Sequence, residues 1–123
     1  MATTRLIPLH TGKGRNFGKA IRNVIGYVSN PKKTHKGELV TGFGCNPETA
    51  DGEFLLMKRE YIARTGRRRG KDDVIAYHLR QSFVPGEITP EEANRIGCEL
   101  ASRFTHGQHA YVVATHEDRR HVH

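Results

Sequence analysis

Apolar positions change period along the chain, and the changes mark its elements. Thr4 to Leu9 carries Leu6, Ile7 and Leu9 and predicts a short strand. From Phe17 to about Val28 the period becomes helical, with Ala20, Ile21, Val24, Ile25 and Val28 spaced i, i+3, i+4. Asn30-Pro31 stops that helix, because proline disfavours helical geometry in the residue before it. Glu38 to Gly44 predicts a second strand, ending at the turn around Asn46-Pro47. A second helix is expected from about Ala50 to Ala63, with Phe54, Met57 and Tyr61 on one buried face. Val74 to Phe83 alternates as a strand and places His78, Arg80 and Ser82 on one side. Thr89-Pro90-Glu91-Glu92 combines an N-cap threonine, a first-position proline and a capping-box glutamate. The stripe Ala93, Ile96, Leu100, Ala101, Phe104 follows, and Gly107 ends the helix. Ala110 to Thr115 is the most strand-like run. Strands interleaved with amphipathic helices predict an α+β sandwich in one domain over 1–123.

Charge narrows the partners. The 123 residues carry 20 Lys+Arg against 13 Asp+Glu, a formal net charge of +7. That balance favours a polyanion, nucleic acid before membrane. Cys45 and Cys98 stand far apart, outside any Cys-x-x-Cys, which argues against a disulfide framework or a zinc finger. No apolar run approaches the length of a membrane span, and the first ten residues lack a signal-peptide core. A reducing cytoplasm is the expected setting. The loop Thr11-Gly12-Lys13-Gly14-Arg15 lacks the spacing of a nucleotide-binding loop. Two basic runs suit phosphate contacts: Lys32-Lys33 after the first helix, and Arg67-Arg68-Arg69 between glycines.

Candidate chemistry gathers at the end of the chain. His116, Asp118, His121 and His123 fall within eight positions. His121 and His123 share a strand face, and a turn over Glu117 to Arg120 would bring His116 across from His121. Neutral imidazoles on one surface can hold a divalent metal, whereas an isolated exposed His-x-His usually has no function. Tyr27 sits at the flank of the first helical stripe, where spacing alone reads as a half-buried core residue. Tyr61 reads as structural.

Three stretches resemble a known family. Gly26-Tyr27-Val28-Ser29-Asn30-Pro31-Lys32-Lys33-Thr34 resembles the first motif of the relaxase domains of mobilisation proteins, the MobP-like group of His-hydrophobic-His endonucleases. Ala76-Tyr77-His78-Leu79-Arg80-Gln81-Ser82-Phe83 resembles the second, and Thr115-His116-Glu117-Asp118-Arg119-Arg120-His121-Val122-His123 the third. The resemblance implies an antiparallel-rich sheet covered by helices, with 1–123 as an amino-terminal portion truncated at its carboxy end.

It further implies metal-dependent nicking of single-stranded DNA at a transfer origin, with Tyr27 as nucleophile. His116, His123 and either His121 or a histidine further on would bind Mn²⁺ or Mg²⁺. Asp118 would orient a histidine or help take the tyrosine proton. Lys32, Lys33, Arg67, Arg68, Arg69, His78, Arg80 and Ser82 would contact DNA. Accessory relaxosome proteins and a coupling protein would be the partners. Two rival readings remain. A rolling-circle replication initiator usually places its tyrosine after the histidine motif, whereas Tyr27 precedes it. A basic DNA-binding module would bind DNA with a steep salt dependence and form no covalent product.

Overall fold

The computed structural model describes residues 2–10, 16–66, 74–117 and 120–123. Its elements follow the predicted order: β1 (Thr3–His10), α1 (Phe17–Val28), β2 (Val40–Phe43), α2 (Ala50–Thr65), β3 (Val74–Ser82), α3 (Pro90–Thr105) and β4 (Tyr111–Ala114). Local chemistry sets the helix starts. Asn16 caps α1 by accepting from the Lys19 N–H, and Thr89 caps α3 by accepting from the Glu92 N–H. His106, in the left-handed region, ends α3.

The strands form two antiparallel ladders. β1 pairs with β3 over a long register that sets Thr3 opposite Ser82, Arg5 opposite Arg80 and Ile7 opposite His78. β2 pairs with β4, from Val40 opposite Ala114 to Phe43 opposite Tyr111, whose rings stack at 5.1 Å. The fold is therefore α+β and antiparallel, as expected, but divided into two ladders among the described residues. The last residues reach both. Phe83 N–H, just past β3, donates to Val122 O at 3.0 Å, while His116 and His123 exchange backbone hydrogen bonds of 2.7 and 3.3 Å.

Ile21 and Ile25 of α1 meet Ala50 at the start of α2, with Phe17, Phe54, Ile75, Ala76 and Val112 packed around them. α3 lies against β4 so closely that a Cβ on Gly97 would stand 3.0 Å from Val113 Cγ1.

Three expectations need correction. Met57 and Tyr61 are not buried; they are 40% and 39% exposed. α2 runs back along α1, from Ala50 at Ile25 to Lys58, whose ammonium lies 5.9 Å from the Phe17 ring at the opposite end of α1, so Tyr61 lies past the overlap, whereas Met57 lies within it on the exposed side of α2. Beyond that point α1 offers nothing to cover α2. Phe104, the last member of the α3 stripe, is likewise exposed, its ring edge-to-face with the exposed Tyr77 ring at 6.5 Å. β2 is also shorter than expected, because Glu38 and Leu39 belong to the turns that follow α1.

Candidate active site

Tyr27 occupies the next-to-last position of α1, where the helix runs out and its side chain is 59% exposed. It is not the half-buried core residue that spacing alone suggests. Two groups flank its ring. Lys33 Nζ lies 4.7 Å from the ring centroid, and the His116 ring meets it edge-on with centroids 6.1 Å apart. A cation over an aromatic face is attracted to the ring's negative quadrupole.

The helix end and the histidine-bearing segment are tied together directly. His116 Nε2 lies 2.8 Å from Val28 O, one of the carbonyls that a helix end leaves without an intrahelical partner. A carbonyl can only accept, so Nε2 carries the proton and the Nδ1 lone pair is left to act as a ligand. A second tie joins Glu117 N–H to Lys33 O at 2.8 Å, and a third joins Thr115 N–H to Leu39 O at 2.9 Å. His35 Nδ1 meets Glu117 Oε1 at 2.7 Å. The turns from Asn30 to Leu39 are thus docked on the residues either side of His116. Thr34, fully buried, donates its hydroxyl to Asn30 O.

The strand end before His116 is equally fixed. Thr115 donates to Asn94 Oδ1 at 3.1 Å, and Asn94 Nδ2 donates to Thr41 Oγ1 at 3.0 Å. That relay joins α3, β2 and the end of β4. On the other ladder, Ser82 Oγ stands 2.9 Å from His123 Nδ1, a contact that orients the imidazole's other nitrogen.

The histidine register differs from the expected one. His116 exchanges backbone hydrogen bonds with His123 rather than His121, and the Phe83 N–H holds Val122 O beside that pair. His121 keeps the parity of His123, with ring centroids 6.2 Å apart. Among the described residues no three His, Cys, Asp or Glu side chains converge as a metal cage. His116 and His123 nevertheless suit a metal in chemistry, since each has one ring nitrogen engaged by an oxygen group, as metal-binding histidines characteristically do.

The remaining candidates divide by element. His78, Arg80 and Ser82 share one face of β3, by strand parity. Burial holds the His78 pKa below the ordinary histidine range, and the charges of Arg80 and His116 push it the same way. Lys32 is exposed, its N–H held by Asn30 Oδ1. Asp118, Arg67, Arg68 and Arg69 lie outside the described residues, as does the Thr11–Arg15 loop.

Sequence reading missed His35, Glu117 and Asn94, whose partners lie 82, 82 and 53 residues away. No local pattern announces such pairs. It also passed over Arg5, which only the β1–β3 register aligns with Arg80.

Comparison with known proteins bears on this arrangement. Residues 27–123 match the family model described as "Relaxase: MobA/VirD2-like, nuclease domain". The chain is 34% identical to the group II intron-interrupted relaxase LtrB of Lactococcus lactis subsp. cremoris (strain MG1363), over 84% of this chain and 22% of that protein. It is 36% identical to Protein rlx of Staphylococcus aureus, over 100% of this chain and 32% of that protein. The chain therefore spans no more than about a third of these relatives' length. No solved structure matches it. With the tyrosine of the first motif standing beside the first histidine of the third, and with the matched region covering most of its length, the chain belongs to the MobA/VirD2-like relaxase nuclease domain family.

Proposed function

We propose that this chain is the amino-terminal part of a DNA relaxase, which nicks one strand at the transfer origin of a plasmid or integrative element in the cytoplasm. The observation that carries the reading is Tyr27, exposed at a helix end with its ring against His116 and beneath the Lys33 ammonium.

Tyr27 Oη attacks the phosphorus of one phosphodiester. The P–O3′ bond breaks, the 3′ oxygen leaves and takes up a proton, and a 5′-phosphotyrosyl bond forms. Atoms and charge balance once the phenol proton passes to a base, the role that Asp118 fills in this reading. Because the phosphodiester energy is kept in the new bond, the reverse attack by a 3′ hydroxyl reseals the strand without a nucleotide.

His116 and His123, with His121 or a residue further along the chain, would hold a divalent ion. Imidazole donors favour Mn²⁺ over Mg²⁺, which prefers oxygen. When bound, such an ion supplies charge neutralisation to a non-bridging phosphate oxygen. Lys33 adds positive charge over the phenol ring, and the Val28 carbonyl keeps the His116 ring turned towards it. His78, Arg80 and Ser82, with Lys32 and the Arg67–Arg69 run, would hold the DNA. Accessory relaxosome proteins and a coupling protein would act on the full-length protein.

Labelled single-stranded origin DNA, incubated with the protein and Mn²⁺, tests this directly. The expected result is an SDS-stable adduct in wild type, absent in Tyr27→Phe and strongly reduced in His123→Ala. An adduct that survives Tyr27→Phe would refute the assignment of the nucleophile. Salt-sensitive binding without an adduct, even when the chain is extended past His123, would identify a DNA-binding module instead.

A further inference from the structure

The β1–β3 register places Arg5 directly opposite Arg80. Residues opposite one another in an antiparallel ladder share a face, with Cβ atoms roughly 4.5–5.5 Å apart, and like charges so placed repel. Both side chains are exposed, and among the described residues neither forms an ion pair with a carboxylate. Two like charges directly opposite in a ladder disfavour it, and a bound anion between them would remove that cost. Each presents a planar fork of donors suited to phosphate oxygens.

Their neighbours locate the pair. Thr3 and Ser82 form the next same-face pair on one side, and Ile7 and His78 the next on the other. Ser82 contacts His123, so the arginines lie two residues, about 7 Å, along the strand from that histidine's anchor. By strand parity Arg5 and Arg80 share the face of the ladder on which Ser82 meets His123, two residues along β3 from that contact.

We infer that Arg5 and Arg80 together clamp a single phosphodiester of the bound DNA strand, neighbouring the one that Tyr27 attacks. This rests on the relaxase reading for the identity of the strand, though the clamp itself requires only an extended polyanion. Arg5 thereby becomes a DNA-binding residue contributed by β1, an element outside all three motifs and outside the residues matched to the family.

The test measures binding without cleavage, in a Tyr27→Phe background, using origin oligonucleotides that each carry one neutral methylphosphonate linkage. The arginine-competent protein should lose affinity at one particular linkage away from the nick. In Arg5→Gln that oligonucleotide should bind no worse than the unmodified strand, and Arg80→Gln should lose sensitivity at the same linkage. The salt slope should fall by about 0.7 for the lost phosphate contact. Arg5→Lys should keep the slope while recovering only part of the affinity. Without DNA, Arg5→Gln should melt at the same temperature as its parent or higher, which separates lost contact from lost fold.

If Arg5→Gln binds every oligonucleotide as its parent does, Arg5 is only a charge guarding a sheet edge and the inference fails. It fails equally if the two variants lose sensitivity at different linkages. The covalent-adduct assay decides the nicking reading separately: a missing adduct with the linkage effect intact removes that reading and leaves the clamp.

Discussion

The two ladders are built from the same antiparallel pairing and do different work. β1–β3 is long and open, with Arg5, Arg80 and Tyr77 exposed and most of β1 exposed as well. β2–β4 is only four residues deep, yet α3 presses on it through Gly97 and the Asn94 relay ties it to Thr41 and Thr115. The short ladder gives His116 a rigid support. The long one offers a charged strip on which a polyanion can lie. Backbone hydrogen bonds link them where Val122 bonds to the end of β3 and His123 to His116, and both ladders pack on the Ile21–Ile25–Ala50 cluster through Ile75, Ala76 and Val112. Rigidity sits where reacting groups must hold their geometry, and exposed charge where a flexible strand must be gripped.

Overfilling the short ladder should have the largest effect. Gly97→Leu would force a side chain into the contact with Val113, and overpacking of this kind costs about 1–3 kcal/mol. Thermal melting should show that loss, and adduct formation should fall with it because Thr115 and His116 follow directly on β4. A variant as stable as wild type would mean that α3 does not brace this ladder.

Ser82→Ala tests the junction more gently. It removes the hydroxyl at His123 Nδ1 and leaves the backbone bonds intact. Loss of a group that orients a metal ligand typically costs roughly 10–100-fold in affinity, so Mn²⁺ binding followed by titration calorimetry should weaken towards the lower end of that range. Unchanged Mn²⁺ affinity would separate β3 from the metal site.

The smallest effect concerns pH. Because the folded-state pKa of His78 lies below its unfolded value, folding disfavours its protonation. Stability is unaffected while both states are neutral. It starts to fall as pH drops through the ordinary histidine range near ~6.5, and the penalty is complete below the folded pKa. His78→Gln should flatten that part of the denaturation-midpoint profile. A profile unchanged by the substitution would place His78 in water.

Much of this was readable before any coordinate. The α1 boundaries follow from the Ala20–Val28 stripe, and the α3 start from Thr89-Pro90, whose N-cap bond forms as expected. The three motifs identify the family without the fold. Spacing misjudged the tyrosines, however. Tyr27 flanks its apolar stripe and Tyr61 belongs to its own, yet both are exposed, for reasons no stripe contains. Tyr27 extends past the end of its helix toward a segment 89 residues away, and Tyr61 lies beyond the reach of α1.

Element type, helix caps and the residue types of the motifs were set by the sequence alone, because period and capping depend on residues within a turn or two of one another. Register and coincidence were not. Whether His116 faces His121 or His123, and whether Arg5 meets Arg80, depends on how strands distant in sequence align, where a one-residue slip turns every side chain to the opposite face. Only the packed molecule chooses among those alignments, since the energy that decides them comes from burial and pairing across the whole sheet.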